Sequence, residues 1–342
     1  MKLLYLSCHA VLEYDELSLF HELGVDVFST GAYLEPNSPS DPGLRPPLTQ
    51  LTYAADDVEA FHAMRAEVGE DRYRLTSSFV DRFDAVMIMH VPEWVTDNWD
   101  VLRDKPTIWR SIGQSSSEVE RKLQPSRAES LKIVRYSPHE RNLPDYCGED
   151  AVIRFYKNGD EFPPWQGDRV VVMNLTQAMP SRGRHCNYEL FRDVVAPFGA
   201  ELYGPGNEDA GELCKGQLSY QALMQTLARA RSFFYTGTYP ACYTLGFIEA
   251  WMAGTPIVAI GRECWEIDAA YSGELYEIPD LITHGTDGFV CDDLADMRQS
   301  LRRLLDDEEI ARQVSNAARV AARNVFGKET IAQQWQEFFA AI

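Results

Sequence analysis

The fold class is decided by one stretch of the sequence, Phe233–Gly261, which reads FFYTGTYPACYTLGFIEAWMAGTPIVAIG. The apolar run at its start predicts a buried strand over Ser232–Tyr235. The next apolar segment predicts a helix over Gly246–Ala253 that ends at Gly254. A further apolar run predicts a second strand over Pro256–Ile260. Because strand, helix and strand in this order build sheets of parallel strands, the chain is expected to be an α/β protein.

The same alternation continues on both sides of this stretch. Within the second half, strands are predicted over Arg169–Leu175, Ala200–Tyr203 and Gly288–Cys291. The second of these strands leads into a tight turn with two glycines, Gly204-Pro-Gly206. Helices are predicted over Tyr188–Val195, Tyr220–Ala230, Leu294–Leu305 and Glu308–Val325.

The first half shows a similar series of apolar runs. Its predicted strands are Lys2–Ser7, Asp26–Thr30, Ala85–His90, Thr107–Ile112, Lys132–Ser137 and Val152–Tyr156. A helix is expected over Asp15–Leu23, because its apolar residues recur at helical spacing and Gly24 follows. Prolines and serines crowd residues 36–48, which predicts a loop there. The series as a whole is typical of a doubly wound sheet.

A break in the pattern divides the chain. The segment Asn158–Asp168 (NGDEFPPWQGD) combines two prolines, two glycines and several acids, which is typical of a linker. The predicted domains are therefore residues 1–160 and 161–330, each Rossmann-like. Residues 331–342 form a C-terminal helix that is expected to pack back toward the first domain. Two such domains are expected to face each other across a cleft, with ligands at the carboxyl ends of the strands.

The composition restricts the partners of the protein. The chain has 342 residues and a formal net charge of -20, which opposes general binding to nucleic acid or to anionic membranes. No apolar stretch approaches the roughly 20 residues of a membrane helix, so no membrane insertion is expected. The seven cysteines are scattered and lack CxxC pairs, which indicates reduced thiols, a cytoplasmic location and no zinc or other metal site.

The stretch Phe233–Gly261 resembles glycosyltransferase family 4, in which a strand and a glycine-containing turn lead to a helix with a glutamate. Gly216–Ala230 is similar to the family's preceding segment, and His284–Asp292 to its later glycine turn. Asn158-Gly-Asp160 matches the turn that ends the first domain. The resemblance implies the GT-B fold and transfer of a sugar from a nucleotide-diphosphate donor. It is continuous in the second half and rests in the first half on strand order and His90.

The resemblance also implies roles at a donor site. Glu249 matches the family's glutamate that holds the ribose hydroxyls, a task suited to a carboxylate. The start of its helix would bind the diphosphate through Tyr243, Thr244 and Leu245, because backbone N–H groups there suit an anion. The remaining candidates are Arg182 and Arg184 beside the leaving diphosphate, with Arg182 as a catalytic cation, and Gly204 in a turn near the base.

One position departs from the family pattern. Family members carry two glutamates with seven residues between them, and the first contacts the sugar of the donor. Ala241 stands at that position here, while Glu249 keeps the second. The departure is consistent with a different sugar, a smaller sugar, or a site without catalysis.

Acceptor residues are predicted in the first half. His90 ends a strand where the family often has a histidine close to the transferred sugar, so it is a second catalytic candidate. The turn Ser7–Asp15 follows the first strand and is expected to face the ligand, which makes His9, Glu13 and Asp15 candidates for acceptor binding. The segment Ser111–Gln114 is a similar candidate. Capping or solvated roles are the alternative for all of them.

The leading hypothesis is a retaining glycosyltransferase that needs no cofactor beyond its nucleotide-sugar donor. Retention follows from the resemblance alone, and metal independence is expected because no DxD motif stands out. Three alternatives remain open. A degenerate protein would bind a nucleotide sugar without turnover, and a GT-B epimerase or hydrolase would consume the donor without an acceptor. A transferase for modified DNA bases is opposed by the acidic charge.

Overall fold

The computed structural model describes residues 1–34, 45, 52–265 and 273–342. The chain forms two compact units, Met1–Tyr156 with Ile331–Ile342, and Lys157–Thr330. Each unit contains one parallel sheet with helices, so the α/β class expected from the sequence is confirmed. The predicted loop 36–48 lies almost entirely outside the described residues.

The first sheet has six parallel strands in the order β2-β1-β3-β4-β5-β6. The central strands β1, β3 and β4 are almost completely buried, as their continuous apolar runs predict. The strands are β1 (Lys2–Leu6), β2 (Asp26–Ser29), β3 (Ala85–Met89), β4 (Thr107–Arg110), β5 (Lys132–Arg135) and β6 (Ala151–Val152). The predicted ends are one or two residues too long, and the last strand is much shorter than Val152–Tyr156.

The second sheet has five parallel strands in the order β11-β10-β9-β7-β8. They are β7 (Arg169–Asn174), β8 (Ala200–Leu202), β9 (Ala230–Tyr235), β10 (Ile257–Ile260) and β11 (Phe289–Cys291). In both sheets the first strand of the unit lies between the second and the third, so the strand order reverses beside it. Open α/β sheets bind ligands at the carboxyl ends of the strands at such a reversal.

Two of the longer helices were not predicted from the apolar pattern. One of them is Ala55–Val68, in which only Asp57 and Met64 are buried. No helix within the described ranges is long and apolar enough to cross a membrane. The helices with eight or more residues are α1 (Ala10–Glu22), α2 (Ala55–Val68), α3 (Ser117–Glu129), α4 (Tyr188–Val195), α5 (Tyr220–Arg229), α6 (Leu245–Ala253), α7 (Leu294–Asp306), α8 (Glu308–Phe326) and α9 (Lys328–Ala340). The α-helices of four residues are Ser77–Val80, Glu93–Thr96, Trp99–Leu102, Met179–Arg182, Arg262–Trp265 and Ile278–Leu281, and the 3-10 helices are Pro138–Asn142, Gly159–Glu161, Gly183–Cys186, Glu208–Leu213 and Gly273–Leu275.

The start of α1 was predicted wrongly. The helix begins at Ala10 rather than Asp15, so most of the predicted turn Ser7–Asp15 is helical. His9 caps it, with Nδ1 accepting from the N–H of Leu12 at 3.5 Å. The capping residue is a histidine rather than the usual Ser, Thr, Asp or Asn, so the sequence carries no ordinary helix-start signal.

The last helix belongs to the core of the first unit. In α9, Trp335 lies edge-on to Phe20 at 5.0 Å between ring centroids, and Phe339 lies 5.3 Å from the same ring. The guanidinium of Arg110 on β4 lies over Trp335 at 5.5 Å. It also pairs with Glu16 of α1 at 3.0 Å, so a buried cation joins the sheet, the first helix and the last.

Candidate functional site

The second unit has its strand reversal at β7, between β8 and β9. The loops after these three strands therefore meet at one edge of the sheet. Leu175 directly follows β7, and the start of α6 lies close to it. A Cβ added to Gly246 would lie 3.3 Å from the Cβ of Leu175, which is a tight contact, so the helix start lies very near to the strand end.

Three asparagine side chains hold these loops together. Asn207 is fully buried, and its Oδ1 accepts from the N–H of Met179 at 2.8 Å. Its Nδ2 donates to the carbonyls of Thr176 and Gly204 at 2.9 and 3.0 Å. Asn174 donates to the carbonyl of Phe234, and Asn187 donates to the carbonyl of Thr236. These two carbonyls lie on either side of the end of β9, so the asparagines also hold the loop after this strand. These roles were not predictable from the sequence, since most of the bonded backbone groups are distant in sequence.

Asn207→Leu is expected to lower the free energy of unfolding by about 2–4 kcal/mol, because buried backbone groups in two loops lose their partner. Urea denaturation measures the loss. Gln124→Leu is the matched control, since this exposed amide bonds only weakly to the carbonyl of Asp145, and its change should stay within about 0.5 kcal/mol. Equal losses in the two variants would contradict the bracing role of Asn207.

The glycine turn after β8 and the arginine segment after β7 pack against each other. Gly204 has φ 124°, and a Cβ there would lie 3.3 Å from the Cα of Gln177. Arg182 ends a short helix, and Arg184 is exposed in the following 3-10 turn. The segment contains positive φ values at Ala178 (47°), unusual for alanine, and at Gly183 (47°). The two predicted cations thus stand on a tightly shaped loop at the edge of the sheet.

The start of α6 presents backbone donors at the same edge. Its N-cap residue Thr244 is extended, at φ -122° and ψ 165°, and among the described residues its side chain makes no capping hydrogen bond. The N–H groups of the first turn have no partner within a helix, and the helix dipole favours an anion there. The Tyr243 side chain is instead buried against Phe326 at 5.3 Å, so the residue can serve a ligand through its backbone.

Glu249 lies one turn into α6 and is 6% exposed. Its Oε1 accepts from the Nζ of Lys157 at 2.8 Å, and the lysine side chain is fully buried. Glu249 was predicted on a buried helix, but its partner Lys157, which precedes it by 92 residues, was not predicted. A carboxylate with an adjacent cation is an arrangement that can accept hydrogen bonds from a diol.

Ala241 lies in the segment after β9, where its N–H donates to the carbonyl of Thr238. Within the part of the chain that the structure describes, the hydroxyls of Thr236 and Tyr276 and the indole N–H of Trp265 have no hydrogen-bond partner. Trp265 and Tyr276 are stacked, with centroids 5.3 Å apart and planes at 10°. Buried polar groups in proteins are usually paired with another protein group or with an ordered water.

In the first unit, His90 ends β3 in a left-handed conformation, at φ 62°. Its carbonyl accepts from the Trp109 indole N–H at 3.0 Å, and its N–H donates to the carbonyl of Arg110. The ring Nδ1 is buried and has no hydrogen-bond partner among the described residues. Burial lowers the pKa of His90 to about 4, so the imidazole is neutral at pH 7. Non-glycine residues in this conformation cluster at functional sites.

The depressed pKa of His90 predicts a loss of stability in acid. Below pH 6.5 the unfolded chain binds a proton that the folded chain does not, so the free energy of unfolding falls as the pH drops from 6.5 to 4. The wild type should lose roughly 2–3 kcal/mol more than His90→Asn over this range, because asparagine tolerates the backbone conformation and does not titrate. Urea titrations at several pH values measure the difference, and parallel curves would contradict the prediction.

The predicted acceptor residues near β1 occupy different environments. Glu13 is buried in α1, where it accepts from Ser29 Oγ at 2.6 Å and from the N–H of Ala32 at 2.8 Å. Asp15 is also buried and pairs with Arg45 at 2.7 Å. These contacts give both acids a structural role, and a direct acceptor contact stays a prediction. His9 lies at the helix start, three residues after the end of β1, at the strand reversal of this sheet.

Ser111 has a buried carboxyl partner that the sequence analysis missed. The Ser111 hydroxyl donates to Oε2 of Glu140 at 2.5 Å, and the N–H of Tyr136 donates to the same oxygen at 3.1 Å. Burial raises the pKa of Glu140 to about 7. The pair joins the ends of β4 and β5, so Ser111 holds the edge of the sheet together. Glu140 falls in a short segment after a strand, a position that could have indicated it.

No protein-family model and no curated protein matches the chain. Solved structures resemble it over its whole length. Anabaena HepE in complex with UDP-glucose has a TM-score of 0.64 at 15% identity, with 100% of both chains covered. Sucrose-phosphate synthase from Thermosynechococcus elongatus has a TM-score of 0.63 at 16% identity, again with 100% of both chains covered. A glycosyltransferase from Rickettsia africae has a TM-score of 0.64 at 11% identity, covering 99% of this chain and 97% of that chain. These proteins are GT-B glycosyltransferases, and the chain shares their GT-B fold.

Proposed function

We propose that the protein is a glycosyltransferase whose second unit binds a nucleotide-diphosphate sugar. The observation that carries the proposal is the edge of the second sheet. There the start of α6, the buried carboxylate of Glu249 and the loop with Arg182 and Arg184 follow the central strands of a GT-B fold. A nucleoside diphosphate needs partners for its ribose diol and for its phosphates, and these groups supply both.

Each group has a separate task in this mechanism. Glu249 accepts from the ribose hydroxyls, and the first turn of α6 donates N–H groups to the diphosphate. Arg182 and Arg184 offset the charge that develops on the leaving nucleoside diphosphate. The acceptor binds at the edge of the first sheet near His9 and His90. The ring of His90 is neutral at pH 7 because burial lowers its pKa to about 4.

Anomeric retention, metal independence and the base of the donor are proposals that rest on different observations. Retention of the anomeric configuration rests on the resemblance to family 4. Metal independence rests on the absence of a DxD motif from the sequence, and loss of activity in EDTA that a divalent ion restores would refute it. Uracil is the first base to test, because Anabaena HepE was solved with UDP and with UDP-glucose.

The experiment is a thermal-shift screen against UDP, GDP, ADP, CDP and TDP sugars, with Glu249→Ala as control. A ligand that binds only the folded chain raises the melting temperature. A shift with one nucleotide class that is lost in the variant supports the donor site. Release of the nucleoside diphosphate is then measured with and without a mixture of sugar, lipid and small-molecule acceptors. No shift with any donor would refute the proposal.

A second candidate is a nucleotide-sugar binding protein without catalysis. Ala241 favours it, because the glutamate expected to contact the donor sugar is absent. Binding without turnover across the acceptor mixture would support this candidate. Donor breakdown that needs no acceptor would instead point to a hydrolase or an epimerase on the same fold.

A further inference from the structure

Lys157 lies where the chain enters the second unit, and it contacts the helix of the donor site. Its Nζ lies 2.8 Å from Oε1 of Glu249, and its side chain has no exposed area. Its backbone N–H donates to the carbonyl of Phe326 at 3.0 Å. Phe326 ends α8 and packs its ring against Tyr243 and Phe247 at the start of α6. Lys157 is thus held by its backbone and reaches Glu249 from a fixed position.

A buried lysine is unfavourable unless its charge is paired, and so is a buried glutamate. The two residues therefore neutralise each other inside the second unit. The Tyr220 ring lies 5.9 Å from Nζ and covers the ammonium on another side. Its hydroxyl donates to Glu161 at 2.7 Å, which holds the ring in place. The surroundings leave the ammonium little freedom to move away from Glu249.

The two carboxylate oxygens of Glu249 differ in their hydrogen-bond partners. Oε1 accepts from Lys157, whereas no described residue donates to Oε2. The carboxylate retains a small exposed area, with the side chain 8% exposed. An oxygen with a fixed orientation and no protein donor is suited to accept from a ligand hydroxyl.

We propose that Lys157 is a positioning residue that orients Glu249 toward the ribose hydroxyls of the donor, so that the site selects ribonucleoside over 2′-deoxyribonucleoside diphosphates. This inference rests on the proposed function, because it assumes that Glu249 lies at the nucleotide. It adds to the proposed function a role for Lys157, which touches no ligand, and a selectivity against donors built on deoxyribose. Lys157 acts only through the orientation and charge of Glu249.

Calorimetric titration with matched nucleotide pairs tests the inference. The probes are UDP with dUDP, and ADP, GDP and CDP with their 2′-deoxy forms, and the pair that binds is used. The wild type should bind the ribonucleotide about 10-fold or more tightly than the deoxy form, as expected for a hydrogen bond to a charged group. Lys157→Met should reduce this ratio to about 2 or less and leave the affinity for the deoxy form almost unchanged.

Two further variants guard against a purely structural effect. Tyr220→Phe keeps the ring over the ammonium but loses the bond to Glu161, and it should retain the wild-type ratio. Lys157→Met/Glu249→Gln removes both charges and serves if Lys157→Met alone does not fold. It should show the same affinities as Glu249→Gln. A further loss in the double variant that affects both nucleotides equally would overturn the inference.

The outcomes separate the inference from the proposed function. If the wild type binds none of the four pairs and no TDP sugar, the donor site itself is refuted, and the role of Lys157 with it. Binding of a TDP sugar alone would overturn only the inference. If the wild type selects the ribonucleotide and Lys157→Met keeps the same ratio, only the inference is overturned. A reduced ratio in Lys157→Met with an unchanged ratio in Tyr220→Phe supports both.

Discussion

Glu249→Gln is expected to lower the affinity for the donor nucleotide by about 10- to 100-fold, because the ribose loses a charged hydrogen-bond acceptor. The same change should lower the free energy of unfolding by about 3–5 kcal/mol. It leaves the ammonium of Lys157 fully buried and opposite a neutral amide. Glutamine has the shape of glutamate, so neither effect arises from a cavity. Calorimetric titration measures the affinity, and urea denaturation measures the stability.

A double variant separates these two effects. Glu249→Gln/Lys157→Met replaces the buried pair by neutral groups, and such replacements are often close to neutral for stability. The double variant should therefore regain most of the lost stability while the affinity for the nucleotide stays low. Wild-type affinity in Glu249→Gln would show that the carboxylate does not touch the nucleotide. Wild-type stability in that variant would show that the pair with Lys157 is weak in solution.

Arg135→Met is expected to lower the free energy of unfolding by about 3–5 kcal/mol. Arg135 and Glu120 have no exposed side-chain area and form two hydrogen bonds of 2.7 and 2.8 Å. The guanidinium also donates to the carbonyl of Gly148 at 3.0 Å. Its removal leaves the carboxylate of Glu120 buried without a cation, next to the sheet edge where Ser111 and Glu140 meet.

Arg229→Met is the matched control for this prediction. Its pair with Asp168 has a similar N–O distance of 2.7 Å, but the two side chains are 51% and 47% exposed. An exposed pair contributes about 0–1 kcal/mol, because water screens the charges. Urea denaturation of both variants gives the comparison. If the two variants lose the same free energy of unfolding to within about 1 kcal/mol, burial does not determine the cost of breaking an ion pair. Arg135→Met/Glu120→Leu should recover much of the stability.

Local sequence patterns predicted the strands well and the helix starts less well. A buried parallel strand is typically a continuous apolar run, as in β3, in β10 and in β1 after Lys2. The start of α1 was missed because His9 is an unusual cap, and α2 was missed because it buries so few apolar residues. Strand ends were placed too late where the backbone turns sharply, as at His90.

The candidate site, too, was predictable from the sequence only in part. The apolar neighbours of Glu249 placed it on a buried helix, and the glycines marked the turns, because both are properties of adjacent residues. The partners of these residues were not predictable. Lys157 and Glu249 are 92 residues apart, Asn207 and Met179 are 28 apart, and Ser111 and Glu140 are 29 apart. Local periodicity carries no information about such contacts.

The sequence alone thus determined the α/β class, the order of the strands along the chain and the helix that carries Glu249, since backbone hydrogen bonding and burial act over a few residues. Only the tertiary structure decided which side chains hold the site. Its folding brings Lys157 against Glu249, and the asparagines against the loops of neighbouring strands. The physical reason is that buried charges and buried amides require partners, and the topology of the sheet determines which distant residues supply them.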